Sequence, residues 1–181
     1  MFLLERLGVR YHLGGSIASS LHGVSRATAD ADLVAELSFD KVDEFVEQLQ
    51  AEYYVDLGRA REAVRNCESM NLIHLATMVK VDVFVPQRRA FDQDELSRAQ
   101  VHSVQLESGI HNFYFKSAED VVLRKLEWFR AGGGASERQW SDVLGVLKMQ
   151  GERLDIQYMN RGAAALGLSE LLERAFAEAR A

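Results

Sequence analysis

Asp30 and Asp32 stand one residue apart in Thr28-Ala29-Asp30-Ala31-Asp32-Leu33-Val34, shortly after a Gly14-Gly15-Ser16 turn, and a third acid, Asp82, sits inside the apolar run Val79-Lys80-Val81-Asp82-Val83-Phe84-Val85. On a strand, residues i and i+2 share a face, so the paired aspartates point the same way. If the Asp82 strand lies beside theirs, three carboxylates converge. Hard oxygen donors of this kind suit Mg2+ or Mn2+, whose shell is completed by waters and substrate phosphates. A pair of such ions activates an attacking hydroxyl and stabilises the leaving oxygen. Gly14 and Gly15 serve the other partner: they let backbone approach a phosphate closely, and the helix start beyond them offers free N–H groups and a positive dipole end. The Ser16 hydroxyl adds a donor.

Taken singly, these features have plainer readings. Asp30 and Asp32 suit a solvated strand face, Gly14-Gly15 a tight turn, and Ser16 a helix N-cap. Asp82 shifts the balance. Its strand alternates, with Val79, Val81, Val83 and Val85 on one side and Lys80, Asp82 and Phe84 on the other, and a carboxylate on a central strand is costly to bury without a cation. Arg26 and Thr28 are read as structural loop residues. Lys125 lies at the edge of the apolar stripe Val122, Leu126, Phe129, where a lysine buries its stem and presents its ammonium to a cleft. Arg138 and Asp142 fall four apart on one helix face as a solvated pair. Arg59, Arg61, Arg65, Arg88 and Arg89 read as solvated surface, the last two being nearest the Asp82 strand. His22, His74, His111 and Cys67 lack the spacing of a zinc site.

The elements that must position these residues follow from periodicity. Residues 10–14 read as a strand, a helix starting at Ser16 covers Ile17 to His22, and 29–35 form a second strand. Asp40 to Gln50 carries apolar residues at i, i+3, i+4 and i+7, the mark of an amphipathic helix. A short strand at 53–56, a helix at 59–67 and strands at 70–76 and 78–85 come next. Strands at 101–106 and 111–115 close the sheet. From Ser117, which opens a capping sequence, the pattern is helical: a helix ending at Gly132-Gly133-Gly134, then helices near 136–150, 155–165 and 168–180. The expected class is α+β, a mixed sheet flanked by helices over residues 1–115 followed by a C-terminal helical bundle over 116–181.

With 181 residues, 48% apolar and 27% charged, the chain has the composition of an ordinary folded domain. The formal charge of −6 argues against a broad grip on nucleic acid. One cysteine excludes an internal disulfide, and the apolar run Phe2-Leu3-Leu4 is too short to read as a signal peptide. No stretch reaches the length of a membrane span, and the expected location is the cytoplasm.

The order Gly14-Gly15-Ser16, Arg26-x-Thr28-x-Asp30-x-Asp32, then Asp82 on a later strand resembles the DNA polymerase β-like nucleotidyltransferase superfamily. With His22-Gly23 and the C-terminal helices, it looks most similar to small bacterial members of the abortive-infection and toxin–antitoxin type. The resemblance covers residues 10–90 for the motifs. It implies transfer of a nucleoside monophosphate from a nucleoside triphosphate such as ATP to an acceptor hydroxyl on RNA (transfer RNA among them), protein or a small molecule, and a cognate toxin or antitoxin as protein partner. It implies that Gly14, Gly15, Ser16 and Lys125 contact the nucleotide phosphates, that Asp30, Asp32 and Asp82 bind Mg2+ or Mn2+, and that Asp82 also acts as general base. Arg138 and Asp142 resemble a charged element that accompanies the lysine. The alternatives are a nucleotide- or partner-binding module of the same fold without turnover, and metal-dependent phosphodiester hydrolysis.

Overall fold

Alternating apolar runs become the seven strands of one mixed sheet, in a computed structural model that describes residues 1–25, 27, 28 and 30–180. The strands are β1 (Tyr11–Leu13), β2 (Asp30–Ala35), β3 (Tyr53–Tyr54), β4 (Ser69–His74), β5 (Lys80–Phe84), β6 (Gln100–Leu106) and β7 (Gly109–Phe115). The helices are α1 (Phe2–Arg6), α2 (Gly15–His22), α3 (Val42–Leu49), α4 (Leu57–Asn66), α5 (Ala90–Ser97), α6 (Ala118–Ala131), α7 (Glu137–Gln150), α8 (Ile156–Leu166) and α9 (Ser169–Arg180). The chain divides into two compact units, one of Met1–Gly15 with Thr28–Phe115 and one of Ser16–Ala27 with Lys116–Ala181. No described helix is long and apolar enough to cross a membrane.

The first unit holds the whole sheet, in the order β3-β4-β5-β2-β1-β7-β6. β2 and β5 pair in parallel, as do β1 and β7, while every other neighbouring pair is antiparallel. This is the mixed sheet with flanking helices that the periodicity implied. Leu13, Leu33, Met70, Leu72, Val83, Phe113 and Phe115 are buried on the strands, and α3 buries Val42, Phe45 and Val46 at the spacing of one helical face. In α4, Asp56 caps the start by accepting from the Arg59 amide at 2.7 Å, and Cys67 ends it in the left-handed conformation.

Two helices of this unit carry no periodic signal. α1 is five residues long. α5 buries two acids, Asp92 and Glu95, beside Phe91 and Leu96, which erases the contrast between a polar and an apolar face. Partners explain the buried charges. Asp92 accepts from Arg89 at 2.8 and 2.9 Å, and Glu95 lies 3.8 Å from the buried His12 ring on β1.

The second unit is helical, and it takes in Ser16–Ala27 with most of α2, a stretch that the sequence reading had placed in the 1–115 core. Ser117, Ser136 and Asp155 cap α6, α7 and α8, each accepting from a backbone N–H three residues on. Val122, Leu123 and Leu126 of α6, Val143 and Val146 of α7, Met159 of α8 and Leu172 of α9 form its core. Gly23 is needed for close packing, since a Cβ there would come within 2.9 Å of the Val146 backbone nitrogen. A polar network is buried with the apolar side chains: Ser117 Oγ donates to Asp120 Oδ2 at 2.6 Å and Tyr158 Oη donates to Asp120 Oδ1. His22 Nε2 donates to the Lys116 carbonyl at 2.8 Å.

Tyr158→Phe keeps the ring but takes one hydrogen bond from a buried carboxylate; the expected loss is about 2 kcal/mol, measured by urea unfolding. Asp120→Ala strips two buried hydroxyls of their acceptor and is expected to cost about 3 kcal/mol in the same assay. On the sheet unit, the Arg10 guanidinium, bonded to both Glu36 oxygens at 2.9 Å, holds the Glu36 carboxyl below its usual range. A carboxyl depressed in the folded state adds stability above its unfolded pKa and loses it as pH falls through the folded one. The pair is half-exposed, so Arg10→Gln is expected to remove only about 0.5 kcal/mol at pH 7 and nothing once Glu36 is protonated in both states, as pH-resolved urea curves will show.

Candidate active site

Parallel pairing of β2 with β5 runs in the register Asp30↔Lys80, Ala31↔Val81, Asp32↔Asp82, Leu33↔Val83, Val34↔Phe84. Because partners in a parallel ladder share a face, Asp30, Asp32, Lys80 and Asp82 all project from one side of the sheet. Leu33 and Val83 project from the other and are buried. The register therefore puts Asp32 and Asp82 side by side on strands about 4.8 Å apart, with Asp30 two residues along the same face. Asp30 is exposed, whereas Asp32 and Asp82 are partly buried.

The Gly14-Gly15 turn sits directly against this row. Leaving β1, Gly14 donates its amide to the Asp32 carbonyl at 2.9 Å, and Gly15 opens α2 with φ +51°. A Cβ on Gly15 would fall 1.7 Å from Asp32 Oδ2 and 2.3 Å from its Cγ. Only glycine satisfies both the conformation and the contact. Backbone at a helix start thus lies in touch with one of the clustered carboxylates, where the sequence reading had it approach a phosphate. Ser16 is the next residue of α2, and Thr28 fixes the entry to β2 by donating to the Asp30 carbonyl at 3.1 Å. Arg26 lies outside the described residues.

Lys80 belongs to the cluster, and the sequence reading gave it no role. Its Nζ lies 2.9 Å from Asp82 Oδ2. The hydrogen bond to Asp82, with the added negative charge of Asp82, Asp30 and Asp32, raises the Lys80 pKa above its ordinary value, so it stays cationic at neutral pH. The signal was present in the alternation: the same period of two that turns Asp82 away from the valines puts Lys80 beside it.

The donor set fits Mg2+ in kind, for two neighbouring carboxylates with substrate phosphates and water complete its usual shell. Among the described residues, however, no group of three or more His, Cys, Asp or Glu side chains is arranged to hold an ion. Asp82 turns one oxygen to Lys80.

The remaining candidates have partners of their own. In the helical unit Lys125 Nζ meets Asp142 Oδ2 at 2.7 Å, both side chains being largely buried, and Ser19 Oγ reaches the same oxygen at 3.4 Å. Asp142 therefore pairs with Lys125 where helical spacing had matched it to Arg138, which is exposed. The buried edge of α6 offers the less hydrated partner and so the stronger attraction. Arg59 pairs with Glu62, Arg61 with Asp43 and Arg89 with Asp92, while Arg88 is exposed.

No protein-family model matches the sequence, and no curated protein matches it. Solved structures match it in fold. An antigenic nucleotidyltransferase-like protein from Paracoccidioides brasiliensis is 17% identical with a TM-score of 0.51, over 96% of this chain and 86% of that one. The antibiotic-resistance factor ANT(2'')-Ia is 14% identical with a TM-score of 0.52, over 94% of this chain and 89% of that one. At such identities the likeness is one of architecture: the chain has the mixed α/β fold of nucleotidyltransferase-like proteins.

Proposed function

We propose that this chain is a metal-dependent nucleotidyltransferase, moving a nucleoside monophosphate from a nucleoside triphosphate to an acceptor hydroxyl and releasing pyrophosphate. The observation that carries this reading is the in-register pair Asp32 and Asp82, with the Gly14-Gly15 turn against Asp32. Their fold is the one shared with the nucleotidyltransferase-like structures, and the sequence motifs point to the same chemistry. Asp30, Asp32 and Asp82 would hold Mg2+ or Mn2+, which when bound neutralises triphosphate charge and polarises the phosphorus under attack. The Gly14 and Gly15 backbone lets a phosphate oxygen approach the start of α2, where the helix dipole favours negative charge. Asp82 takes up the proton as the acceptor oxygen bonds to the α-phosphorus and the bond to the β-phosphate oxygen breaks.

The acceptor class follows from charge only in part. A net −6 disfavours a long polyanion held by many contacts, so a small hydroxyl compound or a protein side chain suits the chain better than an extended RNA. Membership of a toxin–antitoxin pair rests on the sequence resemblance. One observation favours the second reading, a binding module without turnover: Lys80 already engages the carboxylate assigned as base.

Incubation with each labelled nucleoside triphosphate, Mg2+ or Mn2+ and separate RNA, protein and small-molecule pools distinguishes these readings. Label transfer to one pool is expected, and Asp82→Asn is expected to lower it about a thousandfold while circular dichroism stays unchanged. Transfer by Asp82→Asn at the wild-type rate rejects the mechanism, and calorimetric binding of triphosphate with no product in any pool supports the module. Gly15→Ala is expected to cost at least about 1 kcal/mol in urea unfolding, through its left-handed backbone, and to abolish transfer by displacing the Asp32 carboxylate.

A further inference from the structure

Lys80 and Asp82 are two residues apart on β5, and their β2 partners are Asp30 and Asp32. Four charges thus occupy neighbouring positions on one sheet face, three negative and one positive. The ammonium touches Asp82 at 2.9 Å. The two ends of that ion pair differ in freedom: the Lys80 side chain is 40% exposed, while Asp82 is 18% exposed and sits on a short branch from an inner strand. A long flexible cation can leave a fixed carboxylate at little conformational cost.

We infer that Lys80 is a tethered counter-ion that occupies Asp82 in the metal-free protein and must be displaced for a divalent cation to bind there. This rests on the nucleotidyltransferase reading of the three aspartates. Two like charges side by side on adjacent strands repel, and a cation in reach relieves the repulsion when no metal does. Lys80 lets the aspartate row exist without its ion, and the same contact competes with the ion for Asp82. Once released, the ammonium would remain on the face that carries Asp30 and Asp32. Lys80 is therefore a positioning residue that sets how readily Asp82 takes a metal ion.

The test measures Mn2+ binding by calorimetry and by loss of the free-ion paramagnetic resonance signal, in the full chain without nucleotide. Wild type is compared with Lys80→Met, Lys80→Gln, Lys80→Arg and Asp82→Asn. Removing the cation is expected to tighten Mn2+ about fivefold, the size set by a partly exposed ion pair, and the gain should shrink as salt is raised. Lys80→Arg should keep the wild-type affinity. Lys80→Gln repeats the test at similar side-chain length should Lys80→Met fail to fold, and thermal melts identify a folding failure. Equal or weaker Mn2+ binding by both folded neutral variants, with Asp82→Asn still weakened, overturns the role of Lys80 and leaves the metal reading standing. No Mn2+ binding by wild type or by either neutral variant overturns the metal reading itself.

Discussion

Five residues of β2 lie beside five of β5 in a parallel register that the rest of the sheet unit serves. Side-chain direction alternates along each strand, so one face of this pair can be apolar while the other carries charge. Leu33 and Val83 are buried on the inner face and lock the alignment, because a slip of one residue would turn Asp82 into the core and a valine toward Asp32. The charged face is then a by-product of the buried one. It remains tolerable because Lys80 neutralises part of it and because its outer end, at Asp30, is open to water.

The turn after β1 depends on the same alignment. Gly14 is tied by its amide to the Asp32 carbonyl, and Gly15 lies so close to the Asp32 carboxylate that no side chain fits between them. Backbone and carboxylate are thereby brought into contact. Precise placement of this kind is what the proposed phosphate and metal roles would require, since a ligand set loose by an ångström loses most of its effect.

Inside both units, buried charge is matched before it is enclosed. Asp92 has Arg89, Glu95 faces His12, Asp120 accepts from Ser117 and Tyr158, and Lys125 meets Asp142. Asp92 with Arg89 and Asp120 with Ser117 are local pairs three residues apart, whereas Glu95 with His12, Tyr158 with Asp120 and Lys125 with Asp142 are joined by packing that chain spacing does not foretell. Breaking one partner leaves a charge without compensation in a medium that solvates it poorly, which makes these groups more sensitive than the surface pairs around α4.

Local chemistry was legible where it repeats or punctuates. The period of two in residues 80–84, the 3.6 period of α3 and the Ser117 cap of α6 predict those elements because their causes lie within one turn or one pleat. The shared side of Asp30 and Asp32, and the turning of Asp82 away from the valines, follow from the same alternation. By contrast α5 was silent, since it buries Asp92 against its own cap residue Arg89 and Glu95 against His12 from β1, and Lys80 went unassigned although the same alternation sets it beside Asp82, because the acids across from it, Asp30 and Asp32, come from a distant strand. The choice of Lys125 over Arg138 for Asp142 depends on which helix edge is buried. Sequence alone determined which residues share a face; only the tertiary structure decided which faces meet, because strand register and helix packing are set by long-range burial that no local spacing encodes.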